Sequence, residues 1–199
     1  PPFSPYPTHS DIVASVFWVG EGATPESGNI PNFASAWDPE WQTHYGGVDA
    51  PEGRNKACPC FAPKENPYYV ALPYNDLIEK GDRRPDSEVV IPWYSVVFPT
   101  VEEAESVLKD RWVEVSVGNK RCYGQWEDVG PALEDDADYV FGTARPKNTF
   151  GVGAGIDLSP ALAACLGIPL NGSGKVNWRF MDTAFVPKGP WTTVVTLPR

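Results

Sequence analysis

The chain has 199 residues, enough to bury one substantial core, and its formal charge of −10 at pH 7 opposes binding to a phosphate backbone. It has no apolar run near the roughly 20 residues that a membrane-spanning helix needs. Its 22 prolines and 18 glycines predict many turns, long loops and little helix. We therefore expect one folded domain with no nucleic-acid partner and no membrane partner.

Two short strand patterns and a long irregular segment make up the first part of the chain. Residues 1–10, rich in proline, predict a loose arm. Residues 14–19 (ASVFWV) and 68–72 (YYVAL) are β-branched and aromatic, which is typical of strands. Residues 20–67 follow no period, but their aromatic side chains favour an ordered surface cover over the alternative, a disordered linker.

The middle of the chain predicts a broken strand and a helix. Residues 89–97 are rich in β-formers but contain Pro92, which suits an edge or interrupted strand. Thr100 followed three residues later by Glu103 matches a capping box, so we expect a helix that ends near Lys109.

The second half has the clearest strand patterns. Residues 112–117 (WVEVSV) alternate, and the turn at Gly118 leads into a second strand at 121–126, which predicts a hairpin. Ser159 and Pro160 begin a short helix that Gly167 ends. Residues 176–180 and 192–197 predict the last strands. Six or seven strands with two short helices favour a small β-barrel.

Three segments stand in order along this region: the turn WEDVGP at 126–131, the segment IDLS at 156–159, and the strand WRF at 178–180. Together they resemble the double-psi β-barrel superfamily, which includes rare-lipoprotein-A-like proteins, barwin, expansins and related inverting endoglucanases. The opening ASVFWVGEG is similar to the first strand of that family, with Phe17 and Trp18 where the family has tyrosine.

The resemblance implies a mainly-β fold, a six-stranded double-psi barrel with short helices and a long irregular, aromatic-rich insertion. It covers about residues 112–182 and, weakly, 12–22. We expect a single domain over 1–199, with the barrel core at 11–22 and 112–199. Residues 23–111 then form the insertion and additional barrel strands.

The resemblance also implies a catalytic carboxylate. Asp157 matches the aspartate that acts as general acid in the endoglucanases, and Asp128 is the expected partner, with Glu127 as its rival. In a regular strand only one of these two neighbours faces a groove. Glu21, after the first strand, is a further candidate. The structural alternatives are an anion beside a helix N-terminus for Asp157, a turn cap for Asp128 and a solvated loop residue for Glu21.

Sugar rings stack on aromatic side chains, and eight tryptophans are many for this length. We expect Trp126 and Trp18 to bind substrate, together with Tyr123 and Trp178. The alternative for each is a place in the core.

Four cysteines allow three complete pairings, and Cys58 and Cys60 are too close for an easy mutual bond, so each is expected to reach a distant partner. Cys122 and Cys165 are expected as buried thiols or a bridge. The acidic stretch 134–138 fits a solvated loop better than a calcium loop. We expect no metal and no cofactor.

The sequence thus predicts a secreted or extracytoplasmic monomer that cleaves a β-linked polysaccharide, either β-glucan or peptidoglycan, in the manner of an endoglucanase or a lytic transglycosylase. The first alternative is an expansin-like or barwin-like protein that binds or loosens glycan without cutting it. The second is a protein-interaction or inhibitor module that uses the insertion as its contact surface.

Overall fold

The structure, a computed structural model, describes residues 5–25, 30–53, 61–78 and 81–198. Six strands close into a barrel. They are β1 (His9–Val16), β2 (Tyr69–Leu72), β3 (Trp112–Val117), β4 (Lys120–Val129), β5 (Ile156–Leu158) and β6 (Gly174–Met181). Because the barrel is closed, these strands leave no open edge.

The helices are short and lie in the connections between strands. They are α1 (Trp41–Tyr45), α2 (Ser87–Val90), α3 (Tyr94–Val97), α4 (Ala137–Val140) and α5 (Pro160–Leu166), with 3-10 turns at Pro51–Gly53, Phe98–Thr100, Thr183–Phe185 and Pro190–Thr192. None of the helices in the described part of the chain is long and apolar enough to cross a bilayer.

The strands follow the order β1-β5-β2-β4-β3-β6 around the barrel. The pairs β1/β5 and β2/β4 are parallel, and the other four are antiparallel. Exchanging β1, β2 and β3 with β4, β5 and β6 reproduces all six pairings with the same directions. The barrel is therefore built from two interlocked halves, as expected of a double-psi barrel, and the expected fold class is confirmed.

Two apolar clusters lie on the two faces of the barrel wall. The interior holds side chains that alternate inward along the strands, among them Val70, Trp126, Leu158 and Phe180. On the outer face, Tyr69 and Ala71 of β2 pack with Phe17 and with Trp41 and Tyr45 of α1. The described part of the 20–67 segment is thus the ordered cover that its aromatic residues predict.

Helix α5 begins and ends where the sequence predicts. The Ser159 side chain accepts a hydrogen bond from the N–H of Leu162, and Gly167 ends the helix in the left-handed conformation. A disulfide joins Cys122 of β4 to Cys165 of α5. Of the two alternatives for Cys122 and Cys165, the bridge is therefore confirmed. Cys58 and Cys60, each expected to reach a distant partner, lie outside the described ranges.

The expected strand at 89–97 is wrong, since α2 and α3 occupy this region. The expected helix from Thr100 to about Lys109 is wrong as well. The Thr100 hydroxyl donates to the carbonyl of Val97 instead of capping a new helix. The buried carboxylate of Asp76 accepts the N–H of Val107 at 2.9 Å, which holds that backbone group outside any helix.

Residues 192–197 do not form the expected strand. The side-chain amide of Gln125 accepts the N–H of Thr196 at 2.9 Å and donates to its carbonyl at 2.9 Å, so a side chain takes the place of a neighbouring strand. The prediction of a loose arm at residues 1–10 is wrong for the residues that the structure describes, 5–10. Tyr6 packs edge-on against Trp93 with ring centroids 5.7 Å apart, and His9 already belongs to β1.

Candidate active site

A row of four residues crosses four neighbouring strands on the outer face of the barrel. Ser15 of β1 pairs with Asp157 of β5, Asp157 pairs with Ala71 of β2, and Ala71 pairs with Asp128 of β4. Residues paired in this way point to the same face of a sheet. Strands lie about 4.8 Å apart, so the backbones carrying the two aspartates are about 10 Å apart, with only a methyl group between them.

A β-bulge decides which of the two adjacent acids joins this row. On β4, Trp126 pairs with Val70 and Asp128 pairs with Ala71, so Glu127 is the extra residue. Asp128 therefore faces the side of Asp157, while the Glu127 carboxylate lies 3.7 Å from the ammonium group of Lys109. Of the two acids, Asp128 belongs to the candidate site.

Asp128 is nearly buried, with 8% of its surface exposed. Burial raises its pKa to about 7. The N–H groups of Ala36 and Val129 both donate to its Oδ1 at 2.8 Å and oppose that rise, while the charge of Asp157 adds to it. Asp128 thus retains its proton close to neutral pH.

Asp157 is only partly buried. Burial raises its pKa to about 6, and the hydroxyl of Ser15, which donates to Oδ1, works in the other direction. Ser159, not Asp157, caps helix α5, so the alternative role at that helix N-terminus is filled by another side chain. A methyl group placed on Gly130 would lie 3.7 Å from Oδ2 of Asp157, so the turn after β4 runs directly beside this carboxyl.

Glu21 is the third acid of the cluster. It is 8% exposed, and burial raises its pKa to about 7. The backbone of Trp18 and the side-chain amide of Asn32, at 2.9 Å, donate to it and lower the pKa, whereas the charge of Asp157 raises it. Asp157 therefore interacts electrostatically with both Asp128 and Glu21.

One stretch of the insertion lies along this cluster. We define the cover segment as residues 30–38. Its Asn32 bonds the Glu21 side chain, and the N–H of its Ala36 bonds Asp128. Its Phe33 side chain is 52% exposed. The sequence gives no sign of these contacts, because a backbone N–H carries no residue identity and Asn32 lies in a stretch without any period.

Glu127 forms a separate, buried group. Burial and the neighbouring Asp110 raise its pKa, and the positive charge of Lys109 lowers it. With 2% of its surface exposed, Glu127 has no access to a groove. Its buried pairing with Lys109 gives it a structural role.

Three of the four expected sugar-binding aromatics are buried, and the expectation of a stacking surface is wrong for them. Trp126 is fully buried and stacks on Phe180 with ring centroids 5.7 Å apart. Trp178 stacks on His9 at 4.0 Å. Tyr123 is 5% exposed and donates to Glu114 at 2.9 Å. Of the four, Trp18 alone is partly exposed, and its backbone hydrogen-bonds the Glu21 side chain.

The acidic stretch 134–138 is not simply a solvated loop. Asp136 is fully buried, and its Oδ2 accepts the N–H of Lys147 at 2.8 Å. The ammonium group of Lys147 lies 3.4 Å from its other oxygen. This aspartate therefore anchors the loop that leads toward β5.

Comparisons with known proteins leave the family open. The chain matches no protein-family model and no curated protein sequence. Among solved structures it is similar to the Streptomyces papain inhibitor (SPI), at 13% identity and a TM-score of 0.36, over 90% of this chain and 100% of that one. A likeness of this size identifies neither a family nor an activity.

Proposed function

We propose that this protein acts outside the cytoplasm on a β-linked polysaccharide, β-glucan or peptidoglycan, and cleaves it with Asp157 as the proton donor. The observation that carries the proposal is the cluster itself: Asp157 lies beside Asp128 and Glu21, and each of the three has a raised pKa. Glycosidic cleavage needs a carboxyl that still holds a proton at the working pH.

Accessibility favours Asp157 among the three. A general acid must come within hydrogen-bond reach of the glycosidic oxygen. Asp157 is partly exposed, whereas Asp128 and Glu21 are each 8% exposed and bonded to the protein. Its pKa of about 6 means that it is mainly protonated in mildly acidic surroundings.

The pKa values of the three carboxyls determine the protonation state in which Asp128, the second carboxyl, assists Asp157. Asp128 and Glu21 have a pKa of about 7, so below pH 6 all three carboxyls are mainly neutral. Asp128 then assists as a neutral neighbour of Asp157. Cleavage by one acid suits a reaction in which the proton of Asp157 goes to the leaving oxygen as the C–O bond breaks. A hydroxyl of the same sugar then closes on the anomeric carbon and returns its proton to Asp157.

The environment of the cluster also supports a glycan. Phe33 is half-exposed on the cover segment, and Trp18, whose backbone hydrogen-bonds Glu21, is partly exposed. Aromatic faces at the margin of a carboxyl cluster suit the apolar faces of sugar rings. The disulfide between Cys122 and Cys165 suits an oxidising compartment, where such a protein would be secreted.

The test is product release from soluble β-glucans and from peptidoglycan at pH 4–8, measured as new reducing ends and, by mass spectrometry, as anhydro-sugar ends. We expect Asp157→Asn to lower the rate at least about 100-fold, the usual loss when a general acid is removed. Asp11→Asn is the matched control, since Asp11 is an exposed aspartate on β1 whose side chain is 64% exposed. Equal rates for the native protein and Asp157→Asn would contradict the assignment of Asp157.

The second candidate is an expansin-like protein that binds or loosens glycan without cutting it. One observation favours it: Asp128 is buried and accepts two backbone N–H bonds, which leaves it poorly placed to activate water. Under this alternative, the native protein co-sediments with insoluble glucan or peptidoglycan, and no product appears at any pH.

A further inference from the structure

A polar pocket lies on the outer face of strands β4, β3 and β6. In the order around the barrel, β3 is directly opposite β5, so this pocket faces away from Asp157. Its volume is about 200 Å³. The lining includes Arg121, Arg179, Asn177 and Ser116, with Glu114 at its floor.

The pocket is built around one buried carboxylate. Glu114 is 4% exposed. Its Oε1 accepts from Nη1 of Arg121 at 3.0 Å and from Nε of Arg179 at 3.1 Å, and its Oε2 accepts from Nη2 of Arg179 at 3.1 Å and from the hydroxyl of Tyr123 at 2.9 Å. Both carboxylate oxygens therefore have two donors, and the two guanidinium groups are held in fixed positions.

The charges in this arrangement do not cancel. Two arginines face one glutamate, which leaves one positive charge in a chain whose formal net charge is −10. Each guanidinium has five N–H donors, and Glu114 accepts two from Arg179 and one from Arg121. The remaining donors of these two fixed groups can bind a second anion.

Neutral donors complete the pocket. The side-chain oxygen of Asn177 accepts the N–H of Asp11 at 2.9 Å, so the NH₂ group of the same amide remains as a donor. At the edge, Lys175 pairs with Asp11 at 3.0 Å, and that pair adds no net charge. The result is a concave site rich in donors, with one excess positive charge.

We propose that this pocket binds a single oxyanion group, the carboxylate of a sugar acid or a phosphate, on a small ligand or at the end of a glycan chain. Fixed guanidinium groups bind such groups well because the planar fork matches the spacing of two oxygens and loses little freedom on binding. The inference stands independently of cleavage at Asp157, because the two sites lie on opposite sides of the barrel.

Isothermal titration calorimetry at about 0.15 M salt, where exposed charges are screened, and at pH 6 tests the proposal with three probes: glucuronate, inorganic phosphate and neutral glucose. We expect binding of glucuronate or phosphate and none of glucose, and the stronger of the two identifies the source of the oxyanion. Arg121→Gln should weaken that binding about tenfold or more, as expected for a lost charge-assisted hydrogen bond. The side chain of Arg121 is 49% exposed, so this variant should fold, which thermal unfolding will verify.

Lys175→Gln is the matched control. It removes an exposed positive charge from the edge of the same face but none of the donors inside the pocket, and we expect its affinity to stay within about twofold of the native value, since exposed charges are well screened. The proposal would be overturned if Arg121→Gln and Lys175→Gln lost the same affinity for the anion. It would also be overturned if glucose bound as tightly as the anions, or if neither anion bound.

Discussion

Asp157 and Asp128 face the same side of the barrel from strands that are separated only by β2, with Ala71 between them. Their carboxyls are therefore coupled: the charge of Asp157 raises the pKa of Asp128. This coupling, together with burial, is what allows a cluster of acids to hold protons near neutral pH.

Replacing Asp157 should change the titration of Asp128. In Asp157→Asn the negative charge is gone, so we expect the pKa of Asp128 to fall below its value of about 7, while burial keeps it above that of a free aspartate. Carbon-13 NMR of the Asp128 carboxyl group as a function of pH measures this pKa directly. The Asp11→Asn variant, altered on the exposed part of β1, should leave the titration unchanged, and an unchanged Asp128 in Asp157→Asn would show that the two are not coupled.

Stability should fall as the pH rises through neutrality. Glu21, Asp128 and Asp157 have a pKa of about 7, 7 and 6 in the folded chain, above the values near 4 of an unfolded one. Between about pH 4 and pH 7 the folded protein therefore binds more protons than the unfolded chain, and its free energy of unfolding decreases with pH. The buried Asp128 and Glu21 should each contribute on the order of 1–3 kcal/mol.

Thermal unfolding followed by circular dichroism at pH 5 and pH 8 measures this effect. We expect the Tm to be lower at pH 8 by about 5–10 °C, since 1 kcal/mol corresponds to about 2–4 °C for a chain of this size. Asp128→Asn can still accept the N–H bonds of Ala36 and Val129 through its amide oxygen, so it should flatten the pH dependence. A Tm that rises from pH 5 to pH 8 would contradict the raised pKa values.

Lys109 should be important for stability at high pH. Its ammonium group lies 3.7 Å from the carboxylates of both Glu127 and Asp110. Lys109→Met leaves the buried Glu127 without its counter-ion, and we expect a loss of about 3–5 kcal/mol at pH 8. The loss should become smaller as the pH falls, because burial raises the pKa of Glu127 and its protonation removes the unpaired charge.

Urea denaturation of Lys109→Met and of the double variant Lys109→Met/Glu127→Gln tests the pair. The double variant should regain much of the lost free energy of unfolding, because it removes the unpaired charge. Lys175→Met is the control, because it breaks an exposed ion pair, and we expect it to change the free energy of unfolding by less than about 1 kcal/mol. Equal effects of the two lysine substitutions would rule out a special role for Lys109.

Gly124 should not tolerate a side chain. A methyl group on this residue of β4 would lie 2.5 Å from Cδ1 of Leu162 and 3.0 Å from the carbonyl oxygen of Tyr68. We expect Gly124→Ala to lower the free energy of unfolding by about 1–3 kcal/mol, the usual cost of overpacking. Gly22, where a methyl group has no neighbour within 4 Å, gives the control variant Gly22→Ala. No difference between the two in urea denaturation would show that α5 does not pack closely on β4.

The sequence predicts most of the barrel because its strands carry local signals. Residues 112–117 match β3 at both ends, and the capping serine and the terminal glycine of α5 set that helix by themselves. Local signals fail where a distant side chain binds the backbone, as Asp76 does at Val107 and Gln125 does at Thr196. They also fail for aromatic residues, since a tryptophan in the core and one on a binding surface look the same in a sequence.

What the sequence determined by itself is a mainly-β chain, rich in loops, with acids at the ends of its strands. Only the tertiary structure decided which acids meet. The bulge at Glu127 turns that side chain toward Lys109 and leaves Asp128 in the row with Asp157. Register and bulges depend on hydrogen bonds between strands far apart in the chain, and the pKa of each carboxyl depends on burial that exists only after the barrel closes.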